Sequence, residues 1–296
     1  MNDELKQFEE ERKKLNRVSI IVTVIAVLFL IVSFVLMLLY EIMLVFVAII
    51  VLLFVVICFS ASKKKFAGKI KSRIISTMVK EELGEDAIYD QNGGIPLNEI
   101  LSTGMYQYPD KYNLEDYIKS SYNGVDYQMC DAILKEKHVT RDSKGNRRVE
   151  YIQYFNGKVI IIDFKKDIDV ILKIVEGHPK GFNPGLLEKV ETEVIDFNEK
   201  FKTYVNDKEK AFYYLTPVFI RKIVELEKLY KGTIQYVLDN DCFYIYINNN
   251  SDSLEVNIRK PIDDKQLNIF RSQITIANAI INEFNLDSFK FNNQEK

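Results

Sequence analysis

Between Val18 and Phe59 the chain carries one charged side chain, Glu41, and that interruption limits what the remainder can be. Val18–Leu39 is 22 residues without a charge, and Ile42–Phe59 is 18 more. As helices the two runs would measure about 33 and about 27 Å, each enough to cross a hydrocarbon core of about 30 Å. A single helix through both would reach about 60 Å, twice what a bilayer holds. The pattern therefore predicts a transmembrane helical hairpin over residues 18–60. Its turn falls at Tyr40-Glu41, in a loop from about Leu38 to Met43. Tyrosine suits the membrane interface and the carboxylate suits water. A cleaved leader is the poorer reading, because its apolar core spans only about 7–15 residues.

The flanks set an orientation. Arg12, Lys13, Lys14 and Arg17 precede the first run. Lys63, Lys64, Lys65, Lys69, Lys71 and Arg73 follow the second, and the connecting loop has no cation. The positive-inside rule then predicts a multi-pass plasma-membrane protein with both termini cytoplasmic. Neither span offers a GxxxG dimer face or an internal ionisable residue, which favours anchoring over conduction.

Residues 63–84 place Phe66, Ile70, Ile74 and Met78 on one helical face, with Gly84 as the cap. The six cations from Lys63 to Arg73 predict contact with anionic lipid headgroups at this neck. The organisation expected is an N-terminal cytoplasmic segment (1–17), the two-helix hairpin (18–60), a basic juxtamembrane helix (61–84) and a cytoplasmic domain (85–296). That domain divides into two subdomains near 177–190, where Gly177, Pro179, Gly181, Pro184 and Gly185 crowd together.

The cytoplasmic part reads as α+β, mostly antiparallel sheet with two main helices. Helices are expected at Leu97–Ser102 and Leu114–Ser120. Strands are expected over 126–138, 149–155 and 159–164, with turns at Ser143–Asn146 and Asn156-Gly157. Further strands are expected at 169–175, 192–195, 201–205, 233–238, 242–247 and 254–258. Thr216-Pro217 opens one main helix, and the other runs from Asp263 through Phe284. Seven tyrosines fall within residues 85–127. Tyr106, Tyr108 and Tyr112 are candidates for an interaction surface, although such rings more often hold a segment to its own domain.

The phrases STGMYQYPDKYNLEDYIKSSYNGVDY (102–127), YFNGKVIIIDF (154–164) and VETEVIDFNEKFKTYVNDKEKAFYYLTP (190–217) follow the hairpin in order. In that order they resemble an uncharacterised bacterial family of two-span membrane proteins with a shared domain of unknown function. The resemblance implies a location that can be beside LemA-type membrane proteins, and hence a LemA-type partner. It brings no catalytic residues with it.

Chemistry is hard to find. The two histidines, His138 and His178, have no second ligand at zinc spacing. Neither a Walker loop, a dinucleotide fingerprint nor a GxSxG elbow occurs. Cys58, Cys130 and Cys242 form no framework. Asp163, Asp167 and Asp169 alternate near a strand end, where they either bind a cation or form a solvated edge. No catalytic, metal or cofactor residue is therefore assigned. Residues 81–296 hold 28 cations against 36 anions, a poor match for nucleic acid. The expected function is a membrane-anchored binding or scaffold module. The alternatives are a membrane-proximal enzyme acting on lipid headgroups or a phosphorylated metabolite, and an accessory subunit of a transporter or channel.

Overall fold

The computed structural model describes residues 2–39, 49–50, 56–57, 68–69, 71–141, 143, 145–164, 166, 168–229, 231–239, 241–251, 254–255, 261–288 and 291. The chain divides into two compact units. One comprises Met1–Ile75 with Glu255–Phe270, the other Ser76–Leu254 with Arg271–Lys296.

In the first unit, helix α1 (Asn2–Leu39) is one unbroken element. Its stretch Glu9–Ser33 has a mean hydropathy of 2.5 and is long and apolar enough to cross a membrane. Large apolar side chains point outward on every side, among them Ile20, Ile21, Val24, Ile25, Leu28 and Ile31. An all-round apolar surface lacks the one-sided stripe of a helix docked on a soluble core. The hydroxyl of Thr23 donates to the Ser19 carbonyl at 2.8 Å, so this polar group is satisfied within the helix. The turn at Tyr40-Glu41 lies outside the described residues. Of the second run, residues 49–50 and 56–57 are helical.

Helix α2 covers 71–83 and ends at Gly84, whose φ of +99° and N–H to the Lys80 carbonyl make the expected cap. Ile74, Ile75, Met78 and Val79 are buried, as their spacing predicts.

The second unit is built on one nine-stranded sheet in which every neighbouring pair is antiparallel. The strands are β1 (Ile88–Asp90), β2 (Lys111–Tyr122), β3 (Val125–Arg141), β4 (Arg147–Asp163), β5 (Ile171–Glu176), β6 (Glu188–Val190), β7 (Phe201–Val205), β8 (Thr233–Asp239) and β9 (Cys242–Asn248). Their order is β1-β2-β3-β4-β9-β8-β5-β7-β6. Short helices α3 (Leu97–Leu101), α4 (Ile195–Lys200) and α5 (Lys208–Tyr214) lie between strands. Longer ones, α6 (Pro217–Leu229), α7 (Asp264–Ile274) and α8 (Ile276–Phe284), follow later in the chain.

Strand alternation gives the sheet two buried faces. On one, Cys130, Ala132, Leu134, Phe155, Val159, Ile161, Val237, Tyr244 and Tyr246 pack with Ile95, Leu97, Ile100, Met105 and Tyr106. On the other, the rings of Tyr236 and Phe243 meet Phe219 of α6 and Phe284 of α8. Burying large aliphatic and aromatic side chains contributes about 1.5–3 kcal/mol each.

Several expectations are corrected. Residues 114–120 are strand rather than helix, because β2 alternates against β3 and carries a bulge between Glu115 and Ile118. Asn156-Gly157 is no turn, since β4 runs straight through it. Glycine is needed there for close approach: a Cβ at Gly157 would lie 1.9 Å from the Ile247 carbonyl oxygen of β9. Residues 195–200 form a helix where a strand end was expected, and β6 ends before it. The final helix is broken at Thr275. Its hydroxyl donates at 2.9 Å to the Arg271 carbonyl, which also accepts the Thr275 N–H, and such back-bonding bends helices. Within residues 85–296, three helices of nine or more residues are present among the described residues, in place of two. Thr216 does cap α6, its hydroxyl oxygen accepting from the Phe219 N–H at 3.2 Å. The 97–101 helix and the 201–205, 233–239 and 242–248 strands follow the sequence reading closely.

Candidate functional site

Two groups of polar side chains interrupt the apolar sheet. The first is a line across four consecutive strands. Lys158 of β4 faces Asp131 of β3 directly in register, and its ammonium lies 2.8 Å from an Asp131 carboxylate oxygen. Both side chains are about 5% exposed (5% and 6%). The bulge in β2 turns Asp116 inward at a φ of +58°, and its carboxylate accepts from the Tyr89 hydroxyl of β1 at 2.7 Å. Burial pushes the Tyr89 phenol well above its ordinary range, and the Asp116 charge and hydrogen bond push it further. The group holds two carboxylates, an ammonium and a phenol; the three charged side chains are buried and Tyr89 is half-buried. Its chemistry is that of an internal ion pair that fixes strand register.

The second group lies on the opposite sheet face, at the margin of the core around Tyr106. Lys173 of β5 is nine-tenths buried, and its ammonium sits 5.9 Å from the centre of the Phe182 ring. Burial lowers its pKa, while Asp239 of β8 pulls the other way. Burial also raises the Asp239 carboxyl. Burial pushes the Tyr244 phenol up to about 12, although a hydrogen bond with Ser102 opposes the shift. Nearby, ligand atoms of Asp163, Asp241 and Cys242 lie within 4.8 Å of one another. Burial, then the Asp241 and Asp163 charges, push the Cys242 thiol up to about 12. The three groups are two exposed carboxylates and a half-buried thiol.

Tyr106 is buried, donating its hydroxyl to the Gln235 side-chain oxygen at 2.6 Å, so it holds the 102–107 loop in the core. Tyr108 and Tyr112 are exposed. Of the neck cations, Lys63, Lys64 and Lys65 lie outside the described residues. Lys69 and Arg73 are exposed. Lys71 is buried, with Glu255 at 3.3 Å. Asp169 pairs with Lys210. Asp163 gathers with Asp241 and Cys242, while Asp167 lies outside the described residues. His138 and His178 are exposed, His138 beside Glu136 at 3.1 Å. Cys130 is a free, buried thiol, which burial pushes up to about 12.

Sequence reading missed Asp116, Asp131, Lys158 and Lys173. The available signal was a charge at an inward position of an otherwise apolar strand, as in Met129-Cys130-Asp131-Ala132 and Gly157-Lys158-Val159. Their pairing needed the register.

Residues 153–286 match a family model described as a protein of unknown function, DUF3137. The DUF3137 match begins inside β4 and extends through α8. It includes Lys158 and Lys173 and leaves out α1, Tyr89, Asp116 and Asp131. No curated protein matches the chain. A crystal structure of the mycobacterial trehalose monomycolate transport factor A, TtfA, is similar at a TM-score of 0.40 and 8% identity. It is covered over 96% of its length, against 72% of this chain. A likeness at that level carries no argument about fold or function.

Proposed function

We propose that the chain is a membrane-anchored binding module, with α1 held in a bilayer and the sheet unit engaging a protein or ligand beside it. The observation that carries this reading is α1 itself. The Glu9–Ser33 stretch leaves none of its apolar window buried. In water that surface would cost about 25 cal/mol for each Å² left exposed, and lipid removes the cost. The apolar run 42–59 supplies the second arm of a hairpin, and the basic flanks direct both termini to the cytoplasm. The resemblance to two-span bacterial proteins supports the same layout and makes a LemA-type membrane protein the first partner to seek.

The test is carbonate extraction of native membranes combined with reporter fusions at Met1 and Lys296. Resistance to extraction, with both reporters cytoplasmic, is expected. Reporters on opposite faces remove the hairpin, and release by carbonate removes the anchor.

One observation favours a second reading, a membrane-proximal enzyme. The buried Lys173 side chain lies beside the ring of Phe182 and within electrostatic reach of Asp239. Loss of an activity on phosphorylated or headgroup substrates in Lys173→Met, with folding intact, would establish it.

A further inference from the structure

Strands β3 and β4 are 17 residues each, longer than their neighbours. Pairing of β2 with β3 stops at Lys111↔Lys135, and pairing of β9 with β4 stops at Gly157↔Asn248. Beyond those points residues 136–141 and 147–152 continue as a two-stranded ribbon with no further strand paired on either side among the described residues. Register assigns its faces. Lys137↔Tyr151, Val139↔Val149 and Arg141↔Arg147 put six side chains on one face. Val139, Val149 and Tyr151 are 44%, 42% and 46% exposed, and Lys111 lies over the Tyr151 ring at 5.4 Å.

The charges are sorted between the faces. Glu136 and Glu150 fall on the opposite face, where Glu150 pairs with Arg148 at 2.6 Å and Glu136 with Lys180 at 3.1 Å. Lys137, Arg141 and Arg147 have no ion-pair partner among the described residues. At the base, Asp110 accepts the Lys137 backbone N–H at 2.8 Å. The turn residue Asp142 lies outside the described residues. A valine pair and a tyrosine ringed by cations is the composition of a membrane-interface segment, with aliphatic and aromatic groups for the headgroup boundary and cations for anionic lipid.

We propose that this face of the 136–152 ribbon docks on an anionic phospholipid surface. The choice of lipid over an acidic protein rests on the anchoring reading above. A domain on the same chain as an inserted α1 meets that bilayer at high effective concentration.

The chain has no tryptophan, so Val149→Trp is a sole reporter. The full-length variant is placed in nanodiscs of phosphatidylglycerol or phosphatidylcholine with brominated acyl chains, which quench only a nearby indole. Quenching is expected in the anionic discs, with loss of it in phosphatidylcholine and on adding Lys137→Glu, Arg141→Glu and Arg147→Glu. Equal quenching in both lipids overturns the proposal. So does equal quenching of Leu186→Trp, on an exposed loop outside the ribbon. An unquenched reporter in carbonate-resistant protein also overturns it and leaves an acidic protein as the occupant. If α1 does not insert, brominated phosphatidylglycerol vesicles added to the same protein still report on the ribbon, separating the two failures.

Discussion

At the scale of single residues, the Asp131–Lys158 pair shows a charge held inside the sheet by a partner in register. Removing one member of the Asp131–Lys158 pair leaves the other buried and uncompensated, which costs about 3–5 kcal/mol. Asp131→Ala or Lys158→Ala should lower the urea midpoint accordingly, and a paired Asp131→Leu, Lys158→Met change should recover most of the loss. Lys173 predicts a pH effect. Burial lowers its pKa from the ordinary 10.5, so between the folded value and 10.5 the unfolded chain binds more protons than the native one. Stability therefore gains from this group as pH rises through that window, and its penalty is fully present below it. Lys173→Met should be the more stable protein at neutral pH, and its advantage should shrink as denaturation is repeated toward pH 10.5. Both described thiols, held protonated, should label slowly with iodoacetamide in the native state and at ordinary rates in urea.

At the scale of elements, what was legible had a local cause. Thr216-Pro217 starts α6 because the cap and the proline act within one turn. Thr216→Ala should cost about 1 kcal/mol in denaturant unfolding, and Thr216→Ser much less. Gly84 ends α2 for a similarly local reason, its positive φ. Elements misread from the sequence depended on distant neighbours. Leu114–Ser120 carries apolar residues at a spacing that suits a turn of helix, but β1 and β3 on either side supply backbone partners that only the folded chain provides. Gly157 looked like a turn residue beside Asn156, and the reason for it is a carbonyl of β9, ninety residues on. Gly157→Ala should therefore destabilise by about 1–3 kcal/mol, as overpacking does. The candidate site was the least legible part, since Asp116, Asp131, Lys158 and Lys173 each look like an isolated charge until register places their neighbours.

At the scale of the whole chain, the apolar run and the sheet unit are different kinds of matter. The first is specified by composition, so its reading needed no partner strands. The second is specified by pairing between distant segments, with β4 bound to β9 and β5 to β8. Hydrogen exchange should follow the strand order, slowest in β4, β9 and β8 at the centre and fast in β1 and β6. Exchange as slow in β1 as in β9 would contradict that order. The two outermost strands have three residues each. On the anchoring reading proposed above, copies of the chain would be crowded into two dimensions and would collide far more often than free ones. Such stubs give a colliding copy little backbone to zip onto at either end of the strand order, which leaves the open edges of the 136–152 ribbon as the places where side-by-side pairing could start.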